Sequence, residues 1–358
     1  MSLFSSFSLR GLQLPNRVVM APMTRSRADA DHVPTDIMAT YYAQRAPGGL
    51  LITEGIGPAP SGTGYARIPG LYNKAQVTAW RKVTDAVHEA GGRIFAQLMH
   101  TGRVGHPLNL PAGAELLAPS AVALEGEMYT DQEGPKPYPT PRAMTEAEVE
   151  EAVESFVQAS RNAIEAGFDG VEIHGANGYL VDQFLAPNTN QRTDHWGGDI
   201  EGRARFALEV ARRSADAIGA SKVGIRLSPY GVFNGIQPWP STDADYAWLA
   251  GKLSKLGLAY VHLVDHASMG APAVSDAVKQ GIREAFDGPL ILSGGYDRDR
   301  AEADLQAGKG DLVAFGRPFL ANPDLVQRLR DGTELNAPDF DTFYTPGEKG
   351  YTDYPTLA

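Results

Sequence analysis

The chain has 358 residues, 43% of them hydrophobic, and a formal net charge of −11 at pH 7. It contains no cysteine, which excludes disulfides, thiol catalysis and thiolate metal sites. The acidic balance, with no basic run to offset it, argues against nucleic acid and anionic lipid as partners. The sequence also has no run of about eighteen apolar residues and no signal-peptide pattern, so we expect a cytoplasmic protein that is not bound to a membrane.

Short apolar segments alternate with amphipathic segments along the whole chain. Short, nearly continuous apolar segments are typical of strands that are buried on both faces of a parallel sheet. The predicted strands are residues 17–21, 50–53, 93–98, 170–173, 223–227, 260–264, 290–292 and 312–315. The predicted helices are 75–90, a segment that begins after Thr145, 200–218, 243–256, 274–285 and 298–306. Eight strand–helix repeats predict a (β/α)8 TIM barrel, built as one α/β domain over residues 1–358.

An open, doubly wound sheet is the competing architecture. Such sheets usually carry the pattern G-x-G-x-x-G after the first strand, where it binds a dinucleotide. Here the first predicted strand is followed by Pro22-Met23-Thr24, and the pattern occurs nowhere else in the chain. The barrel is therefore favoured.

Three further segments add to the predicted barrel. Residues 6–15 are expected to form a small N-terminal hairpin that plugs the lower end of the barrel. Residues 103–142, after the third strand, contain seven prolines, which exclude a long helix and indicate an insertion over the top face. Barrel enzymes have their active sites on that face. The aromatic C-terminal tail, residues 336–358, is expected to contribute to the active site.

Glycines follow the seventh and the eighth predicted strands, as Gly294-Gly295 and Gly316-Arg317. In many barrels these two loops bind a phosphate, because glycines let backbone N–H groups approach the anion. Arg317 would add a positive charge with a fixed geometry. The alternative is that the glycines only form tight strand-to-helix turns, but their occurrence in both loops favours a phosphate site.

Three polar side chains follow the fourth predicted strand, where barrel catalysis takes place. His174 and Asn177 can both donate hydrogen bonds to one oxygen atom, and Tyr179 can donate a proton. The alternative is a packed histidine and an asparagine that caps a helix. The three residues together favour a catalytic site.

Two more polar residues lie within apolar strands. Arg226 needs a partner if it is buried, and that partner is either a carboxylate such as Glu172 or the ring of an anionic cofactor. Gln97 either binds a heterocycle or forms a satisfied core amide. His262 and His266 are four residues apart, but the first lies in a strand, so we do not expect them to form a helical metal site. No protein-bound metal is predicted.

Several of these motifs, taken in order along the chain, resemble the old yellow enzyme family of FMN-dependent ene-reductases. The resemblance is greatest to the bacterial branch that reduces N-ethylmaleimide, nitroesters and cyclic enones. The matching motifs are residues 21–25 (APMTR), 97–103 (QLMHTGR), 174–180 (HGANGYL), 182–185 (DQFL), 190–194 (NQRTD), 197–198 (GG), 315–317 (FGR) and 350–355 (GYTDYP). Any one of them would be weak evidence, whereas the ordered set is highly specific.

The resemblance implies a non-covalently bound FMN, reduced by NADPH or NADH, at the mouth of the barrel. The residues implied in FMN binding are Pro22, Met23, Thr24, Gly55, Gln97, Arg226, Gly294, Gly295, Phe315, Gly316 and Arg317. Those implied in substrate binding are Thr24, Tyr65, Met99, His174, Asn177 and Tyr351. His174 and Asn177 would hold the substrate oxygen, Tyr179 would deliver the proton, and Arg226 would face the pyrimidine edge of the flavin.

The implied substrates are small activated alkenes and nitro compounds, and the implied assembly is a monomer or a homodimer. Two positions depart from the family pattern. Met99 stands where many relatives have tryptophan, which predicts a wider pocket, and residues 54–57 (EGIG) differ from the usual small-residue and glutamine pattern. The rival functions are a phosphate-binding barrel lyase or isomerase, which would need a Schiff-base lysine or a metal, and a flavin-binding protein without turnover.

Overall fold

The structure is a computed structural model that describes residues 2–357. Eight parallel strands close into a barrel in which each strand pairs with its neighbours in chain order and the last pairs with the first. These strands are β1 (Val18–Met20), β2 (Leu50–Ile56), β3 (Ile94–Leu98), β4 (Gly170–Gly175), β5 (Val223–Leu227), β6 (Tyr260–Val264), β7 (Leu290–Ser293) and β8 (Leu312–Phe315). The predicted (β/α)8 barrel is confirmed.

Helices follow every strand of the barrel. They are α1 (Asp36–Ala43), α2 (Lys74–Glu89), α3 (Glu146–Glu165), α4 (Leu180–Leu185), α5 (Ile200–Ile218), α6 (Thr242–Ser254), α7 (Asp276–Ala285), α8 (Arg298–Gln306), α9 (Arg317–Ala321) and α10 (Leu325–Asp331). The α3 helix begins with a capping box in which the side chains of Thr145 and Glu148 each accept a hydrogen bond from the other's backbone N–H. No helix among residues 2–357 combines the length and apolar character needed to cross a membrane.

Two strands extend at least two residues further toward the top face than the sequence predicts. The β2 strand continues past Thr53 to Ile56, after a shift in its pairing with β3 between Ile52 and Gly55. The β4 strand continues past Ile173 to Gly175, because its last residues pair with β5. These extensions carry Gly55 and His174 into the top of the barrel.

The predicted N-terminal hairpin is present as the antiparallel strands Phe7–Leu9 and Leu12–Leu14. Leu9 and Leu14 are almost fully buried and pack with barrel residues that include Phe95 and Tyr260. Apolar side chains of the hairpin therefore complete the core at one end of the barrel, and the other end remains available for a site.

Residues 103–142 form an extended segment without a long helix, in agreement with their proline content. The segment contains a hairpin, Glu127–Thr130 with Gly134–Pro137, and a short pairing of Leu117–Ala118 with Arg142–Ala143. The Asn109 amide donates to the carbonyl of Gly64 at 3.0 Å, and Asp131 forms an ion pair with Arg67 at 2.7 Å. The insertion thus packs on the loop that follows β2, at the carboxyl ends of the strands.

Candidate active site

A cavity of about 650 Å³ opens at the carboxyl ends of the barrel strands. In a closed parallel barrel all eight strands end on one face, so residues from distant parts of the chain meet there. The predicted site residues that line the cavity are Pro22, Met23, Thr24, Gly55, Gln97, Met99, His174, Asn177, Tyr179, Arg226, Gly294, Gly295, Phe315, Gly316 and Arg317. The structure therefore brings most of the predicted site together.

A buried hydrogen-bond network lies in the barrel strands that form this site. The strand register places Glu172 beside Gln97, whose amide donates to the carboxylate at 2.8 Å. His262 is bonded to the other carboxylate oxygen of Glu172 at 2.9 Å. Burial alone would raise the pKa of Glu172, but His262, Arg226 and Gln97 outweigh that effect and lower this pKa. Glu172 is therefore a buried carboxylate whose hydrogen bonds hold Gln97 and His262 in place.

Arg226 carries a positive charge that acts on Glu172, and it is only 6% exposed. The sequence offered Glu172 as a partner, but no ion pair forms between the two within 4.0 Å among residues 2–357. The Nε atom of Arg226 is buried without any hydrogen-bond partner in the same part of the chain. A buried guanidinium with an unused donor, in a cavity wall, fits a bound group with an electronegative or anionic edge.

The glycine loops after β7 and β8 form a cradle on one side of the cavity. Gly294 has φ +135°, and a Cβ atom there would lie 2.1 Å from the carbonyl oxygen of Asp265. Gly295 has φ +62°, and a Cβ atom there would lie 2.8 Å from the side-chain Cβ of Ser268. These close approaches and the positive φ angles favour glycine at both positions. Glycine-rich loops after barrel strands can present backbone N–H groups to an anion. Arg317 is exposed beside the cradle and forms no ion pair with any residue in 2–357, so the site fits a phosphate.

His174 is held as a neutral hydrogen-bond donor. Its Nδ1 atom accepts from the backbone N–H of Ala176 at 3.3 Å, so the proton of the neutral ring is on Nε2. Burial lowers the pKa of His174 well below its usual value, and the nearby positive charge of Arg226 lowers it further. The Nε2–H group is therefore available to a ligand in the cavity.

Asn177 has a left-handed backbone, with φ +60°, that is fixed from two sides. Its N–H donates to the hydroxyl of Ser228 at 3.0 Å, and its carbonyl accepts from the amide of Asn234 at 2.7 Å. Its side-chain Oδ1 is bonded to His266 Nε2 at 2.6 Å. The residue at the N-cap of α4 is Tyr179, so Asn177 does not have the helix-capping role considered as an alternative.

Tyr179 lies beside His174, with the two rings edge to face at 4.8 Å. Its hydroxyl is hydrogen-bonded to that of Tyr65 at 3.0 Å. Burial raises the pKa of Tyr179 to about 12, so the phenol keeps its proton at neutral pH. Tyr65 is predicted to line the pocket, but it is not among the residues that line the cavity and instead contacts Tyr179, which is.

The prediction that Tyr351 lines the substrate pocket is wrong for this structure. Its ring is fully buried, stacks on Tyr41 at 4.0 Å, and is covered by the guanidinium groups of Arg25 and Arg27. The tail residues that line the cavity are Phe340, Phe343 and Tyr344. Five aromatic residues in one tail look alike in sequence, and only the path of the backbone decides which of them face the cavity.

The two departures from the family pattern are adjacent in space. Met99 is 1% exposed and lies against Gly55, where an added Cβ atom would be 2.5 Å from both Sδ and Cε of Met99. Met99 therefore occupies the space that a side chain at position 55 would need.

The loop after β6 contributes to the site and was missed by the sequence analysis. Asp265, His266, Ser268 and Met269 line the cavity. His266 was considered only as a possible metal ligand together with His262. Its position directly after a predicted strand, on the face where barrel sites lie, was the available signal. Among residues 2–357 no group of three or more histidine or acidic side chains could hold a metal ion.

Comparisons with known proteins agree with this geometry. The model of the NADH:flavin oxidoreductase / NADH oxidase family matches residues 2–336. Chanoclavine-I aldehyde reductase of Penicillium roqueforti is 45% identical over 367 aligned residues, which cover 99% of this chain and 96% of the relative. A Leishmania infantum protein described as a probable flavin mononucleotide-dependent alkene reductase is 43% identical, with 97% and 95% covered.

Solved structures show the same fold. Morphinone reductase has a TM-score of 0.96 at 45% identity, over 99% of this chain and 96% of its own. The old yellow enzyme homologue of Zymomonas mobilis has a TM-score of 0.96 at 41% identity, over 100% of both chains. With the family model, these similarities show that the chain belongs to the old yellow enzyme family and is an FMN-dependent NAD(P)H oxidoreductase.

Proposed function

We propose that this chain is an ene-reductase that uses NADPH or NADH to reduce the C=C bond of small activated alkenes, such as enones, maleimides and nitroalkenes. The observation that carries the proposal is the arrangement of His174, Asn177 and Tyr179. Two neutral donors and one protonated phenol meet at the same end of the cavity. This combination suits the polarisation of an oxygen atom followed by the delivery of a proton.

The chain's own residues fit FMN, which supplies the redox chemistry when bound by accepting a hydride from NAD(P)H and transferring one to the β-carbon of the alkene. The glycine cradle with Arg317 would bind the phosphate. Arg226, through its unused donor, and Gln97, whose amide is held by Glu172, would bind the polar edge of the ring. The other residues proposed to contact it are Pro22, Met23, Thr24, Gly55 and Phe315.

The substrate oxygen would be held between His174 Nε2 and the side-chain nitrogen of Asn177. A carbonyl or nitro group gains negative charge on its oxygen as a hydride reaches the β-carbon. Donors that are already in place at that oxygen stabilise the charge without reorganisation, and such donors are worth most where water is excluded. Both donors belong to buried or partly buried side chains, as this role requires.

Tyr179 would then donate its proton to the α-carbon. Because its pKa is about 12, the phenol is not lost to ionisation at physiological pH. The hydrogen bond with Tyr65 orients the hydroxyl. Protonation by this positioned group completes the reduction and gives a neutral product. The tyrosine then recovers its proton from solvent.

The rival functions have less support from the site. A Schiff-base lyase needs a lysine in the cavity, and none of the lining residues within 2–357 is a lysine. A flavin-binding protein without turnover would not need the arrangement of His174, Asn177 and Tyr179. The relatives whose names refer to an alkene reductase and to morphinone reductase also favour reduction.

The test is an anaerobic assay with purified protein. A yellow protein whose flavin absorbance is bleached by NADPH or NADH, and restored by an enone, maleimide or nitroalkene, would support the proposal. Comparison of the two nicotinamides would establish which one is preferred. A flavin that NAD(P)H reduces but that no activated alkene reoxidises would refute it.

A second test addresses the oxygen site directly. Phenols mimic the charged oxygen of the developing product, and bound over an oxidised flavin they give a long-wavelength charge-transfer band. The double variant His174→Ala, Asn177→Ala should lose tight phenol binding, because both donors are removed. An unchanged phenol affinity in this variant would show that the oxygen is held elsewhere.

Three properties of the whole protein remain predictions from the sequence: a single domain over residues 1–358, a cytoplasmic location, and a monomer or homodimer. The first is tested by a single cooperative unfolding transition, the second by cell fractionation and the third by light scattering of the holoenzyme.

A further inference from the structure

His266 occupies a defined position beside the proposed oxygen site. It follows the end of β6, and its backbone carbonyl accepts from the N–H groups of Met269 at 2.8 Å and Ala271 at 3.2 Å. Its ring packs edge to face against Phe233, with the ring centres 4.5 Å apart. Backbone and ring are therefore both held, which gives the imidazole a fixed direction.

The imidazole is aimed at one atom of the site. Its Nε2 lies 2.6 Å from Oδ1 of Asn177, a short hydrogen bond. An imidazole nitrogen can bond to a carbonyl oxygen only as a donor, so Nε2 carries the proton in this arrangement. Burial lowers the pKa of His266 to about 4, with Arg226 lowering it and Asp265 raising it, so the ring is neutral and has a single N–H group.

The side-chain amide of Asn177 is the part of that residue that its backbone contacts leave free to turn. Ser228 and Asn234 fix the main chain of Asn177. The terminal torsion of an asparagine is broad and roughly two-fold, so the amide has two orientations of similar intrinsic energy. One presents the nitrogen, a donor, to the cavity, and the other presents the oxygen, an acceptor that repels an electronegative ligand atom.

We propose that His266 is a positioning residue that selects the donor orientation of Asn177, by occupying Oδ1 so that the amide nitrogen faces the substrate oxygen. This inference rests on the proposed function, in which Asn177 binds that oxygen. Each of the two donors is then oriented toward the substrate oxygen by one hydrogen bond from a neighbouring N–H group. A backbone N–H at Nδ1 determines the tautomer of His174, and the N–H of His266 determines the amide orientation of Asn177.

The test uses the phenol complex of the FMN-loaded protein, which reports binding and not turnover. His266→Phe keeps a flat ring against Phe233 but removes the donor. His266→Gln replaces the Nε2–H with an amide N–H at a similar reach. His195→Phe is the matched control, since His195 is exposed and does not line the cavity. Flavin content and thermal unfolding of each variant verify that it is folded.

We expect His266→Phe to weaken phenol binding about three- to tenfold, the range for one hydrogen bond between neutral groups. His266→Gln should recover most of the affinity, and His195→Phe should leave it unchanged. In an Asn177→Ala background, His266→Phe should have no further effect, because the group it orients is absent.

Two results for His266→Phe would overturn the inference and leave the proposed function intact. One is an unchanged phenol affinity in His266→Phe. The other is an equal loss with and without Asn177, which would mean that His266 contacts the ligand itself or acts through the fold. If the unsubstituted protein gives no phenol complex although it binds FMN, the proposed oxygen site is wrong, and the role of His266 fails with it.

Discussion

Replacement of Tyr179 by phenylalanine separates the two halves of the proposed cycle. The variant keeps the ring packing against His174 and removes only the hydroxyl. Reduction of the flavin by NAD(P)H needs no proton from this group, so its rate should stay close to that of the unchanged protein. Reduction of a cyclic enone does need the proton, so this step should slow about 10²–10⁴-fold, the usual contribution of a positioned general acid.

The structure also provides a matched control variant and limits the rate effect expected for it. Tyr65→Phe removes the hydrogen-bond partner of Tyr179 at 3.0 Å but leaves the donor in place. A hydrogen bond between neutral groups contributes about 1 kcal/mol, which limits the effect of Tyr65→Phe to about tenfold. The two variants therefore differ by one to three orders of magnitude if Tyr179 is the acid.

The pH dependence gives an independent check. Because the pKa of Tyr179 is raised to about 12, the acid form persists through alkaline pH. The rate of the enone step should show no loss from this group up to about pH 11, whereas an ordinary phenol is half ionised at about pH 10. Deuterium oxide should slow the enone step more than the reduction of the flavin.

Stopped-flow absorbance of each half-reaction, under anaerobic conditions, measures both rates. Nitroalkenes should be less sensitive to Tyr179→Phe than enones, since a nitronate survives until water protonates it. If Tyr179→Phe slows flavin reduction as much as enone reduction, the residue has a structural role. If Tyr65→Phe has the larger effect, the proton comes from Tyr65 instead.

Three further predictions concern the cofactor, the stability and the departures from the family pattern. Arg317→Ala should weaken FMN binding about ten- to a hundredfold, the loss of a charge-assisted hydrogen bond, and an equal affinity on fluorescence titration would contradict its assignment to the phosphate. Burial raises the pKa of Asp182 to about 7, so the Asp182 carboxyl binds its proton more tightly in the folded state than in the unfolded chain. The contribution of this group to the free energy of unfolding therefore falls as the pH rises from about 4 to 7. Asp182→Asn should therefore raise the denaturation midpoint more at pH 8 than at pH 4, and an equal change at both would contradict this. Gly55→Ala should cost about 1–3 kcal/mol of stability, because its methyl group meets Met99 at 2.5 Å, and most of that cost should disappear in a Met99→Ala background.

The sequence by itself determined the barrel and the face on which the site lies. Eight short apolar segments can be buried on both sides only in a parallel sheet covered by helices, and the ends of such strands meet on one face. His174 and Asn177 could be assigned to that face because each follows a predicted strand, whereas Arg226 lies within a strand and only the family resemblance implied its place at the site. Gly294 could be assigned to an anion cradle because its loop type is recognisable along the chain.

The tertiary structure decided the contacts between segments that are distant in sequence. Hydrogen-bond partners are chosen by the register of paired strands and by the direction of each side chain, neither of which a local pattern contains. Glu172 is bonded to Gln97 and His262, which leaves Arg226 with an unused donor for a bound group. The sequence alone leaves this choice of partner open.

The same reason accounts for the residues that sequence reasoning placed wrongly or missed. Tyr351 belongs to a matching motif but is buried against Tyr41, whereas Tyr344 lines the cavity. His266 and Asn177 are 89 residues apart and share one hydrogen bond. A residue's type and its place on a strand are properties of the chain and can be read from it, but the atom that a side chain finally contacts depends on how the barrel brings its loops together.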